Sequence, residues 1–199
     1  MSDNIYGNAA SAGQGGSSNI LEPGIHQVYV EKIEVIDINT AKYNGKAADI
    51  KLVGVNGGTL SGRVFPYMYQ ADRTDFNGNL LTADDQAKEY LGKLNHMFFK
   101  AAGSEEKYAT ATNGATSFED MMARANSVCA KENGGLPYWQ MVIADKNNYS
   151  KLPMWKGGCA EAVNGDFPCS LAFNEQKYGK KQPAGAEAVT GATNALPFD

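Results

Sequence analysis

The sequence predicts a mainly β fold with a helical insertion: a five-stranded barrel whose helices fall between the third and fourth strands. Three observations carry this. A Val- and Ile-rich run opens the folded body, turn residues recur at short intervals after it, and the hydrophobic period then lengthens from two to between three and four.

Pro23-Gly24 precedes the first strand, residues 25–38 (IHQVYVEKIEVIDI). Val28 and Val30 share one parity and Ile33 and Val35 the other. An extra residue near Glu31-Lys32 would restore one apolar face and bend the strand. Asn44-Gly45 signals a turn. A short strand from Ala48 to Gly54 follows, with Ile50 and Leu52 inward. Asn56-Gly57-Gly58 signals the next turn, and Thr59 to Tyr69 makes the third strand. Thr82 then caps a helix with Asp84 and Asp85 in its first turn. Tyr90, Leu91, Leu94, Met97, Phe98 and Phe99 give that helix an apolar stripe to about Ala102. Ser117 followed by Asp120 caps a second helix to about Lys131, ended by Gly134-Gly135. Leu136 to Ala144 is the fourth strand, and the apolar stretch around Leu152 to Trp155 a fifth.

Three strands, helices, then two strands is the order of an OB-fold, a partly open Greek-key barrel. An α+β sheet of another topology would read similarly. The body spans residues 20–182. Residues 1–19 (MSDNIYGNAASAGQGGSSN) are a Gly-, Ser-, Ala- and Asn-rich arm with little to bury. Residues 183–199 form a flexible tail of similar character, ending in Leu196-Pro197-Phe198-Asp199.

Composition narrows the function classes. With 199 residues, 43% hydrophobic and 20% charged, the chain is long enough for a core without metal or disulfide support. No apolar run approaches the ~18 residues of a spanning helix. Met1-Ser2-Asp3-Asn4 has neither a basic start nor an apolar run, so the expected compartment is the cytoplasm. Cys129, Cys159 and Cys169, odd in number and irregularly spaced, read as reduced thiols rather than a disulfide framework or a zinc site. A net charge of −4 argues against a duplex-DNA binder. It leaves room for a basic groove on an acidic body, because stacking supplies part of single-strand affinity.

Phosphate-loop, dinucleotide, zincin and nucleophile-elbow motifs are absent from the sequence, and it has only His26 and His96 as histidines. Asp72, Asp75, Asp84 and Asp85 offer carboxylates for Mg²⁺, but they fit a loop and a helix N-terminus better. The expectation is a non-enzymatic protein without cofactor or metal.

The third strand carries the strongest signal. Leu60, Gly62, Val64, Pro66 and Met68 share one parity and suit the barrel interior. Arg63, Phe65, Tyr67 and Tyr69 share the other. Rings that stack on any base, beside a cation that meets phosphate, are what a sequence-tolerant single-strand binder requires. The alternative is that a helix covers this face and the rings are core. Lys42, Tyr43 and Lys46 flank the first turn, and Lys51 points away from Ile50 and Leu52. Lys146, Tyr149, Lys151, Trp155 and Lys156 follow the fourth strand. OB-folds bind oligonucleotides on strands two and three and on the loops after strands one and four, where these clusters fall.

The Gly24–Val35 strand, Phe65-Pro66-Tyr67, the helical pair and residues 167–183 (FPCSLAFNEQKYGKKQP) together resemble the phage-type single-stranded-DNA-binding proteins. The resemblance covers the body by order of elements. It implies an OB-fold, protection of single strands in replication and recombination, and action in a host cytoplasm. It also implies a C-terminal peptide that recruits replication partners. Leu196-Pro197-Phe198 is similar to the Pro-Phe ending of such peptides. The acidic run that usually precedes it is missing, with Glu187 the only nearby acid, and Asp199 follows the aromatic residue. The rival expectation is a structural or assembly protein, such as a virion component or scaffold, that turns the aromatic face towards protein. Oligomerisation suits either reading.

Overall fold

A computed structural model describes residues 19–41, 43–65, 72–153, 159–165 and 169–181, leaving aside the side chains of residues 84, 87, 89, 90 and 93. The elements in chain order are β1 (Gly24–Asn39), β2 (Asn44–Gly54), β3 (Thr59–Val64), β4 (Arg73–Thr74), β5 (Leu80–Leu81), α1 (Ala83–Ala102), α2 (Glu105–Thr112), α3 (Phe118–Cys129), β6 (Tyr138–Ala144), β7 (Ser150–Lys151), β8 (Ala160–Ala162) and the single turn α4 (Glu175–Tyr178). The protein is mainly β, with a nearly closed, barrel-like antiparallel sheet and a few helices. The sheet order is β3-β2-β1-β6-β7, with β8 also on β6, while β4 and β5 form a separate hairpin.

The expected irregularity in β1 is present. Val30 pairs with Leu52 and Lys32 with Lys51, so Glu31 is the extra residue of a bulge. Val28, Val30 and Ile33 therefore all reach the interior, where they are buried with Ile50, Leu52 and Val64. The bulge also bends β1 away from β6, which it pairs only from Gly24 to Val28. Beyond that point helix α3 takes over the abandoned edge. Asn126 Oδ1 accepts the Ile33 N–H at 2.8 Å, satisfying a donor that would otherwise be buried without a partner.

Helix termini follow their local chemistry. Thr82 Oγ1 accepts the Asp85 N–H, and Ser117 Oγ accepts the Asp120 N–H, each at 3.1 Å. α1 and α3 bring Leu94, Met97, Phe98, Met122 and Ala125 into the same core as the strands, so helices and barrel share one interior. Gly135 lies in the connection from α3 to β6 and packs against backbone. A Cβ there would stand 1.9 Å from the Cys129 carbonyl oxygen.

Several boundaries differ from the sequence reading. Asn44 pairs with Asn39, and the Thr40 N–H donates to the Tyr43 carbonyl, so the turn is Thr40 to Tyr43 and Asn44-Gly45 already belongs to β2. The third strand ends at Val64 rather than Tyr69, with Phe65 just beyond it and residues 66–71 outside the described residues. Of the expected fifth strand at Leu152 to Trp155, Leu152 and Pro153 lie outside any strand and residues 154–155 lie outside the described residues; two short pieces pair with β6 on either side, Ser150–Lys151 before and Ala160–Ala162 after. Leu152 turns inward to close the barrel. Its Cδ1 would lie 2.5 Å from a Cβ at Gly62, so β3 meets the last wall where it has no side chain. Helix α2 had no counterpart in the sequence reading.

Candidate nucleic-acid interface

Alternation along β2 and β3 divides interior from surface. Ala48, Ile50 and Leu52 are buried, whereas Asp49 and Lys51 point out; Leu60 and Val64 are buried, whereas Ser61 and Arg63 are exposed. Antiparallel pairing sets the outward residues in rows: Lys32, Lys51 and Ser61 lie side by side, as do Glu34, Asp49 and Arg63. Phe65 continues from β3 and meets Tyr43 edge-on, with ring centroids 4.9 Å apart. Tyr43 is held by its hydroxyl, which donates to the Lys46 carbonyl at 2.7 Å. Two rings and two cations thus share one open region of the sheet.

The cations are not alone. Lys51 Nζ lies 3.0 Å from Glu31 Oε2, and Arg63 Nε lies 3.9 Å from Asp49 Oδ1. Lys32 is paired with Glu34, whose hydrogen bond holds the ammonium above the usual lysine range. Lys46 is committed further: its ammonium sits 3.2 Å from Asp37 and 3.4 Å from Glu119 on α3, and the Asp37 hydrogen bond leads in raising its pKa. Lys46 therefore ties β1, β2 and α3 together rather than forming part of a basic hairpin tip. Sequence reading counted the cations and missed these carboxylates. The signal was available for Asp49, which has the parity of Lys51. It was hidden for Glu31, which reaches Lys51 through the bulge.

A second cluster lies at the β6–β7 turn. Asp145 Oδ1 accepts the N–H groups of Asn147 and Tyr149 at 2.8 and 3.0 Å, and Asn148 adopts φ 63°, a left-handed conformation that asparagine tolerates. This fixed turn presents Lys146 and a Tyr149 that is 70% exposed, with Lys151 exposed on β7 beside it. Asn148 also grips the C-terminal segment: its Oδ1 accepts the Lys181 N–H at 2.8 Å and its Nδ2 donates to the Lys181 carbonyl at 2.9 Å. β7 contacts β3, so the turn and the β2–β3 face belong to neighbouring walls. Lys42, Tyr67, Tyr69, Trp155, Lys156 and Leu196-Pro197-Phe198-Asp199 lie outside the described residues.

Of the candidate metal carboxylates, Asp72, Asp75 and Asp85 are engaged locally, and the side chain of Asp84 lies outside the described residues. Asp72 Oδ1 accepts the Ala83 N–H at 3.0 Å, Asp75 closes the β4–β5 turn through Asn77 and Asn79, and Asp85 accepts the Thr82 hydroxyl. Among the described residues no group of three or more His, Cys, Asp or Glu could hold a metal ion. His26 Nε2 lies 2.7 Å from the Glu22 carbonyl oxygen. Cys129 and Cys159 are buried free thiols, and Cys169 is half-buried. No helix among the described residues is long and apolar enough to cross a membrane.

Comparison of the chain with protein-family models, with curated proteins and with solved structures finds no match. The fold and the chemistry of its open face therefore carry the functional argument.

Proposed function

We propose that this protein is a barrel of the OB type that binds single-stranded DNA without sequence preference and protects it during replication or recombination. The strand order β3-β2-β1-β6-β7, with β7 against β3, supports the OB assignment, and so do the helices lying between β3 and β6 in chain order. The observation that carries the functional reading is the open outer face of β2 and β3, where Lys51 and Arg63 accompany the Phe65–Tyr43 ring pair. Bases stack on Phe65 and Tyr43, and on Tyr149 at the neighbouring turn. Phosphates meet Arg63, Lys51, Lys151 and Lys146. Nothing in this scheme breaks a bond, and it calls for no cofactor. The unassigned rings Tyr67, Tyr69 and Trp155 and the cations Lys42 and Lys156 extend the same scheme, and the Leu196–Asp199 ending is its proposed partner-binding element.

The test is a titration of oligo-dT, oligo-rU and duplex DNA, followed by intrinsic fluorescence at low and moderate salt. Quenching by oligo-dT that weakens as salt rises is expected. No binding at low salt overturns the reading.

One observation favours assembly with protein instead. The β4–β5 hairpin holds Phe76 97% exposed and Leu80 66% exposed on a tightly hydrogen-bonded turn. Defined oligomers that persist at high salt, without affinity for oligo-dT, would favour that reading.

A further inference from the structure

We propose that Glu31 and Asp49 are specificity-determining residues of the nucleic-acid face, which favour single strands over duplex by occupying the cations that any phosphate must win. The inference rests on the reading of this face as a single-strand site.

Lys32 and Lys51 are direct cross-strand partners, and like charges so placed repel. The bulge relieves this by swinging the extra residue, Glu31, to within 3.0 Å of the Lys51 ammonium. On the next row Asp49 and Arg63 are cross-strand partners of opposite sign. The cations stay within reach of solvent and ligand, with Lys51 and Arg63 side chains 47% and 59% accessible, while the acids are more sheltered: Glu31 Oε2 is buried against Lys51 and the Asp49 side chain is 29% accessible. A phosphate bound here exchanges one anionic partner for another. It gains less than it would at a free cation and leaves a carboxylate beside the nucleic acid.

That penalty falls unequally on the two forms of DNA. Duplex binding without sequence readout draws almost wholly on phosphate contacts and counterion release. Its phosphates are fixed on a stiff helix and its bases are turned inward, so it cannot move charge away from Glu31 and Asp49. A single strand draws part of its affinity from stacking on rings such as Phe65 and Tyr43. Its flexible backbone can also route phosphates around the carboxylates. Interleaved acids thus suppress purely electrostatic binding more than binding anchored by rings.

The experiment compares the wild-type chain with the Glu31→Gln/Asp49→Asn double variant and with Asp49→Asn alone, using oligo-dT and a duplex of equal length. Asp49→Asn leaves the Lys32–Lys51–Glu31 cluster intact, so it serves if the double variant folds poorly. At about 50 mM salt the double variant should bind duplex roughly 10-fold tighter and oligo-dT roughly 3-fold tighter, with the duplex salt slope steepened by ~0.9 per cation freed. Asp49→Asn should move both affinities in the same sense by less. Glu105→Gln, at the start of α2, should leave the preference unchanged. An oligo-dT to duplex preference unchanged in both variants, with wild-type binding intact, overturns this inference alone. Failure of the wild-type chain to bind oligo-dT overturns the parent reading, and this inference with it.

Discussion

The outer surfaces of β6 and of the β2–β3 pair belong to one sheet, yet they are built in opposite ways. On β6, Tyr138 and Val142 face the barrel interior, and on the opposite parity Trp139 is half-buried and Met141 and Ile143 are buried as well. The chain covers them with Cys159 from the approach to β8 and with Phe173 and Tyr178 from its C-terminal segment. On β2 and β3 the outward residues are Asp49, Lys51, Ser61 and Arg63, and no other described element packs over them as the C-terminal segment does over β6. Where the chain supplies a cover, both faces are largely buried and apolar except for Gln140, whose amide donates to the Met141 and Cys159 carbonyls. Where it supplies none, the sequence alternates, and the outward positions hold charged or polar side chains. One wall is therefore covered by the chain itself, and the other is left open to solvent.

Disrupting the covered wall should unfold the protein. Gly135→Ala places a methyl against the Cys129 carbonyl, a backbone atom that has no rotamer to escape to. A loss of ~3 kcal/mol is expected, read as a lower urea midpoint. An unshifted midpoint would show that the α3–β6 connection yields more easily than its packing implies. Met141→Ala should cost about 2–3 kcal/mol of stability by leaving a cavity, while the folded fraction keeps its affinity for oligo-dT. Phe65→Ala reverses the pattern. It should weaken oligo-dT binding by about 1–2 kcal/mol through lost stacking, with a smaller change in melting temperature. If Met141→Ala changed affinity more than Phe65→Ala, the division between the walls would be wrong.

Thiol reactivity sharpens the same contrast between covered and open regions. Burial pushes the Cys129 thiol up to about 12, so it stays protonated and unreactive. Cys159, also buried, is shifted in the same direction by the same cause. A thiol-specific reagent at neutral pH should therefore modify Cys169 first and the other two only on unfolding. Equal rates in the native protein would contradict the burial. The smallest expected effect is on acid stability. Asp75 is held below the usual carboxylate range by Asn79, Asp120 by Arg124 and Glu161 by Ser170. Folded-state values below the unfolded ones mean that these contributions are complete above about pH 4 and fade as pH falls through the folded values. Asp120→Asn should flatten that acid limb in a pH series of thermal melts.

What could be read from the sequence was what local chemistry decides. The bulge followed from the change of parity between Val30 and Ile33, and α1 followed from its spacing and its Thr82 cap. Other features depended on partners distant in the chain. Asn44-Gly45 is a strong local turn signal, yet the register set by the bulge pairs Asn44 with Asn39 and moves the turn upstream. Helix α2 buries only Tyr108 and has little apolar stripe to detect. The last wall is broken because Leu152 fills the space opposite Gly62, a complementarity between residues ninety positions apart. Of the candidate face, parity gave Arg63 and Lys51 their outward direction. Among the acids that temper them, Asp49 shares the parity of Lys51, whereas Glu31 emerged only when the strands were paired.

The bulge at Glu31 also has a meaning for how the gene can vary. Deleting that codon alone would set Lys32 directly after Val30 in regular alternation, so Ile33 and Val35 would still face inward while the bend and the Glu31–Lys51 pair were lost. Substitution at Glu31 alters one charge; deletion at the same codon also straightens β1, without changing which of its side chains face the interior. Variant libraries of this chain should therefore tolerate most residues at position 31, and should tolerate its deletion better than a one-residue deletion elsewhere in β1.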